Sequence, residues 1–242
     1  MSAPFAWPQG ARAALSLTYD DSLSSHLDTA IPQLRARGFA GTFFLNPGLP
    51  RFLERKADWL KMAEGEQELA NHTFTHPCSK VLSWVPKGQG LEDLDEAAMR
   101  SEIDLGNRGI RELGIKEIPS FAYPCGQSFY EQDCRSYVPM VRERHLVARG
   151  VAEGIADPWS LDLMDVAAYD GSMGAAFSLD LARKAVERGH WLVLLFHGVG
   201  AEHLTIATNE HAVLLDGLKA MGGALWVAPF GEVGKYISSS RS

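Results

Sequence analysis

The chain has 242 residues, long for one ordinary domain and short for two well-formed ones, a size that barrel-type α/β domains commonly fill as a single unit. A hydrophobic fraction of 46% suffices for a sizeable core, and 22% charged residues keep it in solution. The formal net charge of −7, with 23 Lys and Arg scattered along the chain, excludes the basic footprint of a nucleic-acid partner, and no apolar run has the length of a membrane span.

Strand-length apolar runs alternate with helical patterns from end to end. Residues 14–19 (ALSLTY) read as a buried strand, and residues 27–37 as a helix stopped by Gly38. A second strand follows at 42–46 (TFFLN), a helix at 52–63, and a short third strand at 67–70. Helical periodicity covers 91–113 and ends at Gly114, and a strand at 120–123 is ended by Pro124. Weaker strands are expected at 145–148 and 166–169, and a helix at 179–188 stops at Gly189. The strongest strand is 191–196 (WLVLLF), apolar throughout, as a parallel strand buried on both faces requires. A helix at 209–220, a strand at 224–228 and a helical turn at 232–237 close the chain. This alternation, without long linkers, implies one α/β domain over residues 1–242, with a parallel sheet that is either open or closed into a barrel.

The three cysteines, Cys78, Cys125 and Cys134, are odd in number and lack framework spacing, so no disulfide scaffold is expected. The opening MSAPFAWPQGARAALSL has no basic stretch before a long apolar run, so the expectation for a complete chain is the cytoplasm.

The unusual polar residues fall at the ends of the strands, which in a barrel converge on one mouth. Asp20 and Asp21 follow the first strand; as two adjacent carboxylates, one can hold a metal while the other serves as a base. His72 and His76, four apart in NHTFTHP, would lie on one side of a helical turn and chelate a single ion. With an aspartate from another strand they form a two-His, one-carboxylate face that leaves positions open for water and substrate. Zinc is the default ion, and cobalt, nickel or iron suit the same donors. His197 ends the most apolar strand and precedes Gly198; it is either a core histidine or a general acid with a pKa near neutrality. His26, His145, His190, His203 and His211 lack ligand spacing and read as surface or structural residues. Cys125 reads as a small apolar residue rather than a nucleophile, and Cys78 as at most an extra soft ligand beside His76.

Taken in order, these segments resemble the polysaccharide deacetylase family, also called the NodB-homology or carbohydrate esterase family 4 domain. LTYDDS at 17–22 is similar to the family's first motif, and ELANHTFTHP at 68–77 to its second. GFAGTFFLN at 38–46 matches the usual second strand, FAYPCGQ at 121–127 resembles the third motif, and LLFHG at 194–198 the fifth. The resemblance spans about residues 14–237 and implies a distorted (β/α) barrel, commonly of seven strands. Carried onto this chain it implies Asp20 as general base, Asp21, His72 and His76 as metal ligands, and His197 as general acid. The backbone N–H of Cys125 would help hold the oxyanion, Leu195 would line the pocket for the acetyl methyl, and Tyr123 would shape its wall.

Two departures from the pattern bear on Asp20. The third motif normally carries an arginine two residues before its proline, where this chain has Ala122, and the fourth motif has as its nearest match only Asp157-Pro158-Trp159. Ser22 also stands where glycine is usual. The expected substrate is an N-acetylated sugar or oligosaccharide, with an O-acetyl ester such as acetylated xylan, or a small cyclic amide or imide, served by the same site. Two readings of other classes compete: a catalytically silent carbohydrate-binding domain, and a redox or nucleophilic enzyme built on Cys125. Oligomeric state is not legible in the sequence.

Overall fold

A computed structural model of the chain describes residues 4–241. The first apolar run forms β1 (Ala13–Asp20), buried at each of its 8 positions because it is covered on both faces. Parallel strands follow as β2 (Thr42–Leu45), β3 (Glu68–Asn71), β4 (Ser120–Ala122), β5 (Val147–Arg149), β6 (Tyr169–Asp170), β7 (Trp191–Phe196) and β8 (Leu225–Val227). Their order in space is β5-β4-β3-β2-β1-β7-β6, and β8 pairs with the beginning of β1, from Ala13 to Leu15.

The ends of this sheet are joined through the irregular segment 163–170. Ala148 N–H donates to Leu163 O at 2.7 Å, Gly150 N–H to Val166 O at 3.0 Å and Ala168 N–H to Ala152 O at 3.0 Å, before the chain enters β6 beside β7. The result is the expected distorted (β/α) barrel. The strand expected at 145–148 begins and ends one to two residues later, which puts Arg149 at its C-terminal end.

Helices cover the outside. α1 (Ile31–Arg37) grows from a π-helical turn at His26–Ala30 and stops at Gly38, whose φ of 74° a side chain would resist. The single helix expected at 52–63 breaks at Arg55 into α2 (Pro50–Glu54) and α3 (Lys56–Met62). α4 (Glu96–Arg111) starts at Asp95, whose side chain accepts from Ala98 N–H. α5 (Val138–Arg142), α6 (Ala175–Arg188), α7 (Thr208–Ala220) and α8 (Phe230–Ser240) complete the layer. Among the described residues, no helix is long and apolar enough to cross a membrane.

The two-residue period of the strands decides what faces inward. On β1, Leu15, Leu17 and Tyr19 pack outward with α1, α6 and α7 residues such as Leu34, Ala182 and Leu214. Ala14 packs in the barrel interior with Phe44, Ala70, Ala122, Val147 and Leu195. Counting on by twos from those interior positions reaches Asp20 on β1, His72 after β3, Arg149 on β5 and His197 after β7. The interior face of the fold therefore aims one polar side chain from each of four strand ends at the same mouth.

Two buried histidines that do not line that mouth set an acid limit on stability. Burial lowers His145 to about 4, against the hydrogen bond its Nδ1–H donates to Ile118 O, and lowers His211 to about 3. His211 donates through Nδ1 to Gln33 Oε1 and accepts from the Tyr19 hydroxyl at 2.8 Å, so the neutral ring is the one that fits. The unfolded chain takes up a proton on each near pH 6.5 and the folded chain does not, so stability is full above that value and lost as pH falls. Each ring contributes roughly 1.4 kcal/mol per pH unit across this window. The melting temperature is expected to be flat above about pH 7 and to fall between about pH 6.5 and 5. His211→Asn should flatten the fall, and a melting curve unchanged across the window in the native chain would refute the assignment.

Candidate active site

The polar strand ends, with the loops that follow them, line a cavity of about 540 Å³. Asp20, Asp21, His72, His76 and His197 all border it, and so do Tyr123, Cys125 and Leu195, the residues expected to shape the substrate pocket.

Asp21 and Ser22 turn the chain sharply out of β1, with φ of 81° and 56°, a left-handed pair rare for residues other than glycine. The Ser22 hydroxyl, in place of the usual glycine, makes the turn useful by accepting from Asn46 N–H at 2.8 Å. His72 and His76 are not on a helical turn, as their spacing implied. They sit on a loop after β3 in which Thr73 and His76 have φ of 65° and 61°. The loop is held from below: Asn71 Oδ1 accepts from Thr73 N–H at 2.8 Å, and Asn46 Nδ2 donates to His72 O at 2.5 Å. The rings still meet, their centroids 4.8 Å apart.

His72 Nδ1–H donates to Ala122 O at 2.8 Å, which fixes the ring and leaves Nε2 for the site. That Nε2 lies 3.8 Å from Asp21 Oδ1, and His76 Nε2 lies 3.2 Å from the same oxygen. Asp21 Oδ1 is buried and makes no hydrogen bond, and neither does Asp20 Oδ1. A buried Asp21 Oδ1 that lacks a hydrogen bond and faces two imidazole nitrogens is what a cation-binding site looks like, because without a cation it carries an unoffset desolvation cost. The donor set fits the expected divalent ion. Burial pushes both carboxyls up and is overridden. For Asp21 the His203 hydrogen bond acts with His76, His72 and Arg51, and for Asp20 the Arg149 guanidinium acts with His72 and His197. Both carboxyls end below the usual carboxylate range. His76 is lowered by burial to about 4. His197, expected near neutrality, lies below the ordinary histidine value because burial outweighs Asp20 and Asp21.

Arg149 was missed in the sequence. Fully buried, it pairs with Asp20 Oδ2 and lies over the Phe44 ring, 5.3 Å from its centroid. It is the register partner of Ala122 across β4 and β5. A guanidinium, absent at 122, thus reaches Asp20 from the next strand. The signal was present as HLVARG, an arginine closing an apolar run before glycine, but the one-residue shift of β5 hid its place at a strand end. Tyr123 lines the cavity as expected, its hydroxyl donating to Met164 O at 3.0 Å. Asp157-Pro158-Trp159 is no fourth motif. Asp157 accepts from Trp159 N–H in a local turn, near Ala156, which pairs with Trp191 at the opposite end of β7.

Two further expectations are corrected. His203, read as surface or structural, donates from Nε2 to Asp21 Oδ2 at 2.8 Å. Cys78 and Cys125 form a disulfide, closing 47 residues of sequence separation and tying the His76 loop to the Pro124-Cys125-Gly126 turn. Three cysteines gave an odd count, yet two pair and Cys134 is left free and exposed. With no thiol at Cys125, the nucleophilic reading of that residue is removed. The other histidines behave structurally: His26 Nε2–H, for example, donates to His197 O at 2.9 Å and steadies the end of β7.

The family model described as polysaccharide deacetylase matches residues 8–138. Among solved structures, a putative polysaccharide deacetylase from Mycobacterium smegmatis is 15% identical with a TM-score of 0.66, covering 99% of this chain and 95% of that one. The Xyl-CE4 domain of a multidomain xylanase from the hindgut metagenome of Trinervitermes trinervoides is 16% identical with a TM-score of 0.57, covering 93% and 91%. A CE4 family pseudoenzyme from Bacillus anthracis is 16% identical with a TM-score of 0.60, covering 92% of this chain and 65% of that one. At these identities the structures speak for the fold alone. No curated protein matches the chain.

Proposed function

Because the chain belongs to the polysaccharide deacetylase family, we propose that it is a divalent-metal-dependent hydrolase that removes acetyl groups from an N-acetylated sugar or oligosaccharide, acting as one catalytic domain. The observation that carries this reading is the buried Asp21 Oδ1, without a hydrogen bond and set against the Nε2 atoms of both His72 and His76.

In this reading Asp21, His72 and His76 hold the ion, which supplies Lewis acidity to the acetyl carbonyl and to the attacking water. Asp20, charged and oriented by Arg149, accepts the proton of that water. The turn at Cys125 offers its backbone N–H to the developing oxyanion. Leu195, on the inward face of β7, packs against the acetyl methyl. His197 passes a proton to the departing amine or hydroxyl. A cavity of about 540 Å³ accommodates a sugar ring and part of its neighbour. The half-exposed Trp84, its ring centroid 6.4 Å from that of His76, gives such a ring an aromatic wall. The Cys78–Cys125 bridge supports action where thiols are not kept reduced, in place of the cytoplasm expected from the sequence.

Acetate release, measured over N-acetyl sugars, acetylated xylan and small cyclic amides, tests the proposal. A chelator is expected to abolish it and zinc or cobalt to restore it. Release that persists in thoroughly metal-stripped protein would remove the ion from the chemistry, and binding of sugars without any release would favour the silent carbohydrate-binding domain.

A further inference from the structure

The two oxygens of Asp21 have different company. Oδ1 faces His76 and His72 at 3.2 and 3.8 Å, and Oδ2 accepts from His203 Nε2 at 2.8 Å. The His203 ring lies 5.4 Å from the His197 ring, centroid to centroid. Donor atoms of Asp21, His197 and His203 lie within 4.8 Å of one another, as do those of Asp21, His72 and His76. One carboxylate is the shared corner of two donor triads.

We propose that this chain carries a second, weaker divalent-cation site made by Asp21 Oδ2, His197 and His203, and that filling it inhibits the enzyme by occupying the imidazole that protonates the leaving group. The inference rests on the reading above for the roles of Asp21 and His197.

His203 is held in place for this. Its loop, 198–206, is pinned by Glu202, whose carboxylate accepts from Ser24 N–H at 2.8 Å and from the Ser25 hydroxyl at 2.5 Å. Gly198 N–H donates to His203 O at 3.1 Å, and Glu202 and Leu204 adopt φ of 69° and 45° to fold the segment over the mouth. Strained backbone held by this many bonds fixes the ring rather than leaving it to drift. Two imidazoles and a carboxylate suit zinc, cobalt, nickel or copper. The local charge makes the second site the weaker one: Asp20, Asp21 and Glu202 are opposed by Arg51, 3.8 Å from Asp21, and Arg149, so one divalent ion already leaves the cluster net positive. The side chain of His203 is 47% exposed, which gives an ion access from solvent and weakens its hold. Repulsion between two ions on one carboxylate makes the second roughly ten-fold or more weaker than the first.

The test is equilibrium dialysis of metal-free, disulfide-intact protein against zinc alone, with elemental analysis of the bound ion. The native chain is expected to take up two ions in a tight and a weak step. His203→Asn, which keeps a donor for Asp21 but offers no imidazole, is expected to take up one with the tight step unchanged, and His203→Ala, which also removes the hydrogen bond on Asp21, to take up one with the tight step weakened but retained. Inhibition of acetate release by excess zinc should need at least ten-fold more zinc in both variants. A single ion in the native chain, a second ion retained in both variants, or loss of the tight ion in them would each overturn the second site. No bound ion in any form would instead strike the proposed function itself.

Discussion

Asp20→Asn is expected to lower turnover by about 10²–10⁴-fold while leaving affinity for the divalent ion within about two-fold of the native value. The substitution keeps the shape of the side chain and removes its charge and its capacity to take a proton. The ion is held by Asp21 Oδ1 and the two Nε2 atoms, none of which changes. The cost appears in stability, because Arg149 loses its buried counter-charge, and breaking such a pair from one side costs about 3–5 kcal/mol. Turnover under saturating substrate, paired with a dialysis measurement of metal affinity, separates the two effects. Loss of both together, or of neither, contradicts a base distinct from the ligands.

Arg149→Ala is expected to be as damaging by a different route. It leaves a buried carboxylate without its cation, so it should destabilise the fold by about 3–5 kcal/mol and reduce turnover about 10²-fold. The informative variant adds Ala122→Arg. Ala122 and Arg149 are register partners on adjacent strands, and both point into the barrel. A guanidinium restored at 122 approaches Asp20 from the neighbouring strand and should return at least ten-fold of the lost turnover, with KM little changed. A double variant no better than Arg149→Ala, or full activity in Arg149→Ala alone, would sink the positioning role.

The barrel was legible because its strands are short apolar runs separated by helices with clear stops, such as those at Gly38 and Gly189. The eight site residues named from the sequence do line one cavity, because residues at the C-terminal ends of parallel strands must converge whatever their separation along the chain. What the sequence hid depends on contacts with no local period. Arg149 lay one residue beyond an uncertain strand boundary. His203 lies in a loop whose path is set by a carboxylate–serine clamp 177 residues away in the chain. The Cys78–Cys125 pair could not be told from two unrelated residues by counting. HxxxH gave the right partners on the wrong backbone, since the loop turns through left-handed residues where spacing alone implied a helix.

The bridge between Cys78 and Cys125 also decides in what form the protein should be handled. Donor atoms of His76, Cys78 and Cys125 lie within 4.8 Å of one another, and Cys78 Sγ is 3.6 Å from His76 Nδ1. Opened by a reductant, the two sulfurs become thiols, which lose their protons on binding zinc and hold it more firmly than oxygen donors do. A preparation made in a reducing cytoplasm would then trap a metal beside the site rather than in it, and would report a full complement of zinc in an inactive enzyme.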